Sequence, residues 1–95
     1  MPGPHDALIL YATSWCGDCS QARKFLKARG IAWREVDVDE DPEADALILR
    51  HNSGARLLPV FRMGRRLHTV CPFDRHRLAA WLLEVGAASE AQLKD

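Results

Sequence analysis

The patterned part of the chain opens on the apolar run Ala7-Leu8-Ile9-Leu10-Tyr11-Ala12, which predicts a buried strand. Gln21-Ala22-Arg23-Lys24-Phe25-Leu26-Lys27-Ala28 reads as a helix, and Arg29-Gly30 supplies its stop, because glycine takes the left-handed conformation that ends helices. Ile31-Ala32-Trp33-Arg34-Glu35-Val36-Asp37-Val38 then alternates apolar and polar positions as a half-buried strand does. Strand, helix and strand in this order predict a right-handed βαβ unit with parallel strands.

Asp39-Glu40-Asp41-Pro42-Glu43 is a helix entrance: carboxylates suit the positive end of the dipole, and proline at the first helical position lacks an N–H that would go unpaired anyway. That makes the acidic cluster a cap rather than a metal site. Ala44, Leu47, Ile48 and His51 recur at helical spacing, His51 falls at the C-terminal end, and Asn52-Ser53-Gly54 closes the segment. Leu57-Leu58-Pro59-Val60-Phe61-Arg62 and Arg65-Arg66-Leu67-His68-Thr69-Val70 predict two strands joined at Met63-Gly64 as an antiparallel hairpin. Pro59 is tolerated at a strand's start, where an X-Pro bond can also be cis. A last helix is predicted over Phe73 to Val85, with Leu78, Trp81, Leu82 and Val85 on one face, Pro72 at its entry and Gly86 at its exit. Residues 1–6 read as a frayed lead-in, 7–86 as one domain, and 87–95 as a tail too polar to require a place in the core.

The chemistry lies in Thr13-Ser14-Trp15-Cys16-Gly17-Asp18-Cys19, a Cys-x-x-Cys pair where the first strand hands over to the first helix. At that junction the first turn's free N–H groups and the positive dipole end favour a thiolate on the first sulfur, and the thiolate is the nucleophile of disulfide exchange. Cys19 lies one turn further in on the same face, near enough to close a disulfide but less open to attack from outside. The spacing therefore predicts Cys16 as the attacking thiol and Cys19 as the resolving one. Two other readings are weaker. A zinc site could borrow Cys71 with His51, His68 or His76, but zinc knuckles place the pair in a loop and this pair opens a strong helix. Two merely buried cysteines would not stand at an electropositive helix start. Asp18 reads either as a negative charge near both sulfurs that opposes the thiolate or as an exposed helix-start carboxylate favoured by the dipole, and Arg23 and Lys24 read as solvated helix charges.

Composition narrows the picture further. The chain has 95 residues, 47% hydrophobic and 27% charged, which suits a single domain with one core. Its 13 basic and 13 acidic side chains cancel, so no field draws it to nucleic acid or an anionic membrane. Three cysteines cannot all pair internally, which favours a reducing, cytoplasmic setting. The N-terminal residues lack a basic region, and the apolar run is too short for a signal peptide or membrane span.

The order β-α-β-α-β-β-α, with Cys-x-x-Cys after the first strand and proline opening the third, resembles the thioredoxin fold. The stretch Tyr11-Ala12-Thr13-Ser14-Trp15-Cys16-Gly17-Asp18-Cys19 is similar to the glutaredoxin branch, nearest the mycoredoxins and NrdH-type redoxins, with Asp18 where mycoredoxins carry tyrosine. The likeness runs through Glu35-Val36-Asp37-Val38-Asp39 to Pro59, over roughly residues 7–85. It implies an α/β domain with a four-stranded mixed sheet flanked by three helices. It further implies Cys16 as nucleophile, Cys19 as resolving thiol and Pro59 as a cis proline beside them, with substrate held by Trp15, the Leu58 backbone and Cys71. Where glutathione-using glutaredoxins carry Gly-Gly and Cys-Asp or Ser-Asp, this chain has Thr69-Val70-Cys71-Pro72-Phe73-Asp74. Cys71 would then cap the last helix facing the bound thiol, and glutathione would fit less well than a mycothiol- or bacillithiol-type thiol.

These observations predict a monomeric thiol-disulfide oxidoreductase that binds no metal or resident cofactor. Its co-substrate would be mycothiol, bacillithiol or glutathione. It would reduce protein disulfides or mixed disulfides with such a thiol and draw electrons from a thiol or a flavin-dependent reductase. The alternative is an iron–sulfur cluster carrier in which two chains each give Cys16 and an external thiol completes the ligand set. A thioredoxin-fold regulator or arsenate reductase relative is a third reading, disfavoured by the short chain and the missing helical insertion.

Overall fold

The computed structural model describes residues 7–94, so the predicted lead-in of residues 1–6 lies outside the described residues. Strands β1 (Ile9–Ala12), β2 (Arg34–Asp37), β3 (Val60–Met63) and β4 (Arg66–Thr69) form one mixed sheet in the order β2-β1-β3-β4. β1 and β2 run parallel, and β1–β3 and β3–β4 are antiparallel, as the βαβ unit and the hairpin require. Helices α1 (Gly17–Ala28), α2 (Pro42–His51) and α3 (Arg75–Glu84) flank the sheet, and a short α4 (Glu90–Leu93) follows.

Strand alternation sorts the helices onto two faces. Leu10, Glu35, Phe61 and His68 share a face through the strand register. There α1 reaches Glu35 through Arg23, and Trp81 of α3 packs on Phe61 and stacks on His68. On the opposite face, Asn52 at the end of α2 accepts a hydrogen bond from Thr69 at 2.7 Å. Leu10 and Phe61 are completely buried between the layers. Each such side chain contributes about 1.5–3 kcal/mol relative to an exposed one.

Three features differ from the sequence reading. The second strand was expected from Ile31, but the Ile31 N–H bonds to the Leu26 carbonyl at 3.0 Å and the Gly30 N–H to Lys27 at 3.2 Å. Ile31 thus closes α1 in a Schellman motif while its side chain enters the core, which leaves Arg34 to begin the strand. The last helix was expected from Phe73 with Cys71 as its cap. Its cap is Asp74, whose Oδ1 accepts the N–H groups of His76 at 2.9 Å and Arg77 at 3.2 Å, orphan donors that a thiol would satisfy poorly. The segment after Gly86 was expected to stay off the core. It turns back instead, burying Ala88, and α4 starts in a capping box formed by Ser89 and Gln92. Gln92 then donates to the Gly30 carbonyl at 3.3 Å, tying α4 to the end of α1.

Gly30 and Ser53 both stand at the left-handed position after a helix, at φ of 67° and 56°. Only glycine takes that conformation without a Cβ penalty. Gly30→Ala is expected to lower unfolding stability by about 1–2 kcal/mol, and Ser53→Gly to raise it by less than about 1 kcal/mol. Urea midpoints of the two variants check both signs.

Candidate active site

β1 ends at Ala12, and four residues later Cys16 caps α1. Its Sγ accepts the Cys19 N–H at 3.1 Å, where a hydroxyl or carboxylate oxygen would sit in an ordinary N-cap. An N–H aimed at a sulfur from the positive end of a helix favours negative charge there. Cys16 is half-buried, whereas Cys19 is fully buried; all three cysteines are free thiols. Burial first, then the hydrogen bond to Cys16, push the Cys19 thiol up to about 12, with Thr13's backbone and the Arg23 cation pulling the other way. The two sulfurs therefore sit in unlike surroundings: that of Cys16 is half-buried at the helix start, and that of Cys19 is enclosed.

Arg23 lies four residues after Cys19, on the same helical face. It was expected in solvent, but its guanidinium forks onto Glu35, with Nε 2.9 Å from Oε1 and the terminal nitrogen 2.7 Å from Oε2. The same nitrogen donates to the Thr13 carbonyl at 3.0 Å, bracing the loop that carries the cysteines. Arg23, then Trp33, whose Nε1 donates at 3.2 Å, hold the Glu35 carboxyl below its ordinary range. The sequence signal was present in the four-residue spacing and in the alternation that puts Glu35 on the α1 face.

A groove of about 270 Å³ opens over Cys16, walled by Trp15, Asp18, Arg56, Leu58 and Cys71. Of the residues expected at the site, Trp15, Cys16, Leu58 and Cys71 thus meet in one place, and Cys19 lies beneath Cys16. Pro59 is buried next to Leu58, across a cis peptide bond. The ladder of β3 begins at Val60, and the Val70 N–H bonds to the Pro59 carbonyl at 3.0 Å, so Leu58 stands outside the ladder at the groove's edge. Cys71 comes from the loop before α3, and its bond to Pro72 is also cis. That loop is held by Phe73, whose ring packs edge-on against Phe25 and whose N–H bonds to Asp18 Oδ1 at 3.2 Å. Asp18, expected to point into solvent, is therefore half-buried against the loop.

Arg56 had no signal in the sequence, since it sits in an unpatterned loop. Its guanidinium bonds to Asp39 at 2.6 Å and Asp45 at 2.9 Å, and Asp39 also accepts from Trp15 Nε1 at 2.8 Å. Arg56 first, then Trp15, hold the Asp39 carboxyl below its ordinary range. Trp15 is 68% exposed yet fixed by its ring N–H, which leaves an apolar plate beside the Cys16 sulfur. A larger cleft of about 550 Å³, walled partly by Tyr11, Leu47, Arg50 and Arg62, carries no cysteine. Among the described residues, no group of three or more His, Cys, Asp or Glu is arranged to hold a metal ion.

A helix-capping thiol over a buried partner, beside a cis proline on a four-stranded mixed sheet, defines the thioredoxin-like class of redox proteins. Within it the chain belongs to the glutaredoxin family, whose model, described as Glutaredoxin, matches residues 8–67. Mycoredoxin 1 of Corynebacterium glutamicum is 35% identical over 72 residues, covering 76% of this chain and 89% of that relative. The solved NrdH-redoxin of Escherichia coli, described as glutaredoxin-like with a thioredoxin-like activity profile, superposes with a TM-score of 0.54 at 31% identity, over 65% of this chain and 79% of its own. Buckwheat glutaredoxin, solved as a complex with glutathione, superposes with a TM-score of 0.65 at 25% identity, over 88% of this chain and 83% of its own.

The Arg23–Glu35 pair yields a pH signature. Because the Glu35 carboxyl is held low in the folded state, its contribution is present above the unfolded value, about 4.3, and is lost as pH falls through the folded one. For a pair that water still reaches, the contribution is at most about 1 kcal/mol. Urea unfolding between pH 6 and 3 should show a shallower loss of stability in Glu35→Gln than in the unaltered protein.

Proposed function

We propose that this protein is a thiol-disulfide oxidoreductase acting through Cys16 on mixed disulfides with a low-molecular-weight thiol or on protein disulfides. The single observation that carries the reading is the asymmetry of the sulfurs: Cys16 Sγ accepts a helix-terminal N–H at 3.1 Å in an open groove, over a Cys19 thiol with no exposure. The Cys16 thiolate attacks one sulfur of a substrate disulfide, a new S–S bond forms at Cys16, and the other substrate sulfur leaves as a thiolate that takes up a proton. The Cys19 thiol then gives up its proton and attacks Cys16, releasing the bound thiol and leaving a Cys16–Cys19 disulfide. Two electrons have passed to the substrate. Alternatively a second small thiol attacks the mixed disulfide and leaves as an oxidised small-thiol disulfide, regenerating Cys16.

The remaining assignments follow the groove. The Leu58 backbone, outside the β3 ladder, offers main-chain groups to an extended substrate in strand fashion, with Pro59 fixing its approach. Trp15 supplies an apolar plate beside the bond being exchanged, and Cys71, next to Val70 whose N–H bonds to the Pro59 carbonyl, lines the groove beside Leu58 as a substrate contact. The co-substrate class is a small thiol such as mycothiol, bacillithiol or glutathione, with a thiol or flavin-dependent reductase as the electron source. Buckwheat glutaredoxin, which shares this fold, was solved with glutathione, and Mycoredoxin 1 of Corynebacterium glutamicum matches this chain over 89% of its own length. Three free thiols suit a reducing, cytoplasmic compartment. Among the described residues, no helix is long and apolar enough to cross a membrane.

Cys16→Ser is expected to abolish reduction of both substrate classes, while Cys19→Ser keeps turnover of small mixed disulfides and loses that of protein disulfides. Activity surviving in Cys16→Ser would overturn the reading. Release of the bound thiol from a Cys16 mixed disulfide by Cys19 should quicken about tenfold per pH unit between pH 6 and 8, because burial holds the Cys19 thiol above its ordinary range, where the thiolate fraction rises in proportion to hydroxide. Single-turnover fluorescence measures that slope, and a flat profile would remove Cys19 from the releasing step.

A further inference from the structure

Three contacts around the Cys16 groove bear on what kind of thiol it accepts. The Phe73 N–H, at the loop that forms one wall, is already occupied by Asp18 Oδ1 at 3.2 Å. Arg56, the cation among the described residues lining the groove, is engaged by two carboxylates, Asp39 at 2.6 Å and Asp45 at 2.9 Å. Asp18 itself is half-buried in the wall, two residues after Cys16 and next to Cys19, and among the described residues its carboxylate meets the Phe73 amide and no cation. An incoming carboxylate would therefore meet an amide and a guanidinium that the protein's own carboxylates hold, together with the uncompensated Asp18 charge. An ammonium or an uncharged hydroxyl meets no such opposition.

We propose that Asp18 sets the charge of the thiol this protein accepts, disfavouring carboxylate-bearing small thiols and favouring neutral or cationic ones in the mixed disulfide at Cys16. This rests on the reading of Cys16 as the attacking thiol. The physical basis is Coulombic. Two like charges within several ångströms repel strongly when a protein wall replaces part of the water between them, and salt weakens the effect. The helix dipole favours Asp18 in the first turn of α1 whatever the substrate, but it does not account for the side chain turning onto the 71–73 loop beside the sulfur. That orientation both fixes the loop and fills the position where a ligand's carboxylate would find an N–H. Asp18 is thus a specificity-determining residue, not a participant in sulfur exchange.

The test uses the full chain carrying Cys19→Ser, so that reaction stops at the Cys16 mixed disulfide, with three small symmetric disulfides: dithiodipropionate (anionic), 2-hydroxyethyl disulfide (neutral) and cystamine (cationic). Stopped-flow fluorescence gives each rate constant, and division by the rate of a simple model thiolate removes intrinsic reactivity. The expected order is cationic, then neutral, then anionic. Adding Asp18→Asn, whose amide oxygen can still accept the Phe73 N–H, should raise the anionic-to-cationic ratio roughly fivefold to tenfold. Asp18→Ala, which also frees that N–H, should raise it further, and 1 M salt should bring the ratio up towards one in the Cys19→Ser protein that keeps Asp18. Any general change in Cys16 reactivity cancels in the ratio. Reaction with all three disulfides at a ratio unmoved by Asp18→Asn, with the circular dichroism spectrum retained, would overturn the proposal while leaving Cys16 as the attacking thiol. A failure of all three to react with Cys16 would overturn the proposed function itself.

Discussion

The hydrogen bond from the Cys19 N–H to the Cys16 sulfur is the contact on which the site depends. It makes a cysteine the N-cap of α1, so the atom proposed to react is also the atom that starts the helix. Everything nearby holds that start in place. β1, an interior strand, delivers the chain to the start of α1, Arg23 clamps the Thr13 carbonyl from further along that helix, and Phe25 receives Phe73 from the loop before α3. A change that frayed the first turn of α1 would remove the N–H from Cys16 and open Cys19 to water at once.

The same geometry divides labour between identical side chains. Cys16 borders a groove, whereas Cys19 is enclosed and its thiol is pushed up to about 12. Arg23 tempers the separation. Its cation lowers the cost of a negative sulfur at Cys19, yet Glu35 takes most of its hydrogen-bonding capacity. The carboxylates around the groove are likewise spent on neighbours: Asp39 on Arg56 and Trp15, and Asp18 on the Phe73 amide. The groove is built by internal ion pairs and hydrogen bonds, and Asp18 is the carboxylate among them that meets an amide instead of a cation.

Much of this was legible in the chain. The period change from Ala7–Ala12 to Gln21–Ala28 located the strand-to-helix junction, Pro42 and Asp41 marked the start of α2, and Gly30 marked the end of α1. These are local signals, written in backbone preferences and short spacings. What escaped was either a competition between neighbouring caps or a contact across the sheet. Asp74 outcompetes Cys71 as a cap because its carboxylate satisfies two amides. Ser89 and Gln92 carried a capping-box spacing inside a segment whose polarity drew attention away from it. Arg56 and the turn of Asp18 toward Phe73 depend on residues 17 and 55 positions away, which no local pattern encodes.

The central claim is the unequal exposure and charge of the two sulfurs, and timed alkylation reads it directly. The reduced protein is treated with iodoacetamide at pH 7, quenched at intervals and mapped by mass spectrometry. The structure predicts that Cys16 is modified rapidly while Cys19, buried and protonated, stays unmodified until the protein is unfolded in urea. Modification of Cys19 in the native protein at a rate equal to that of Cys16 would contradict the account.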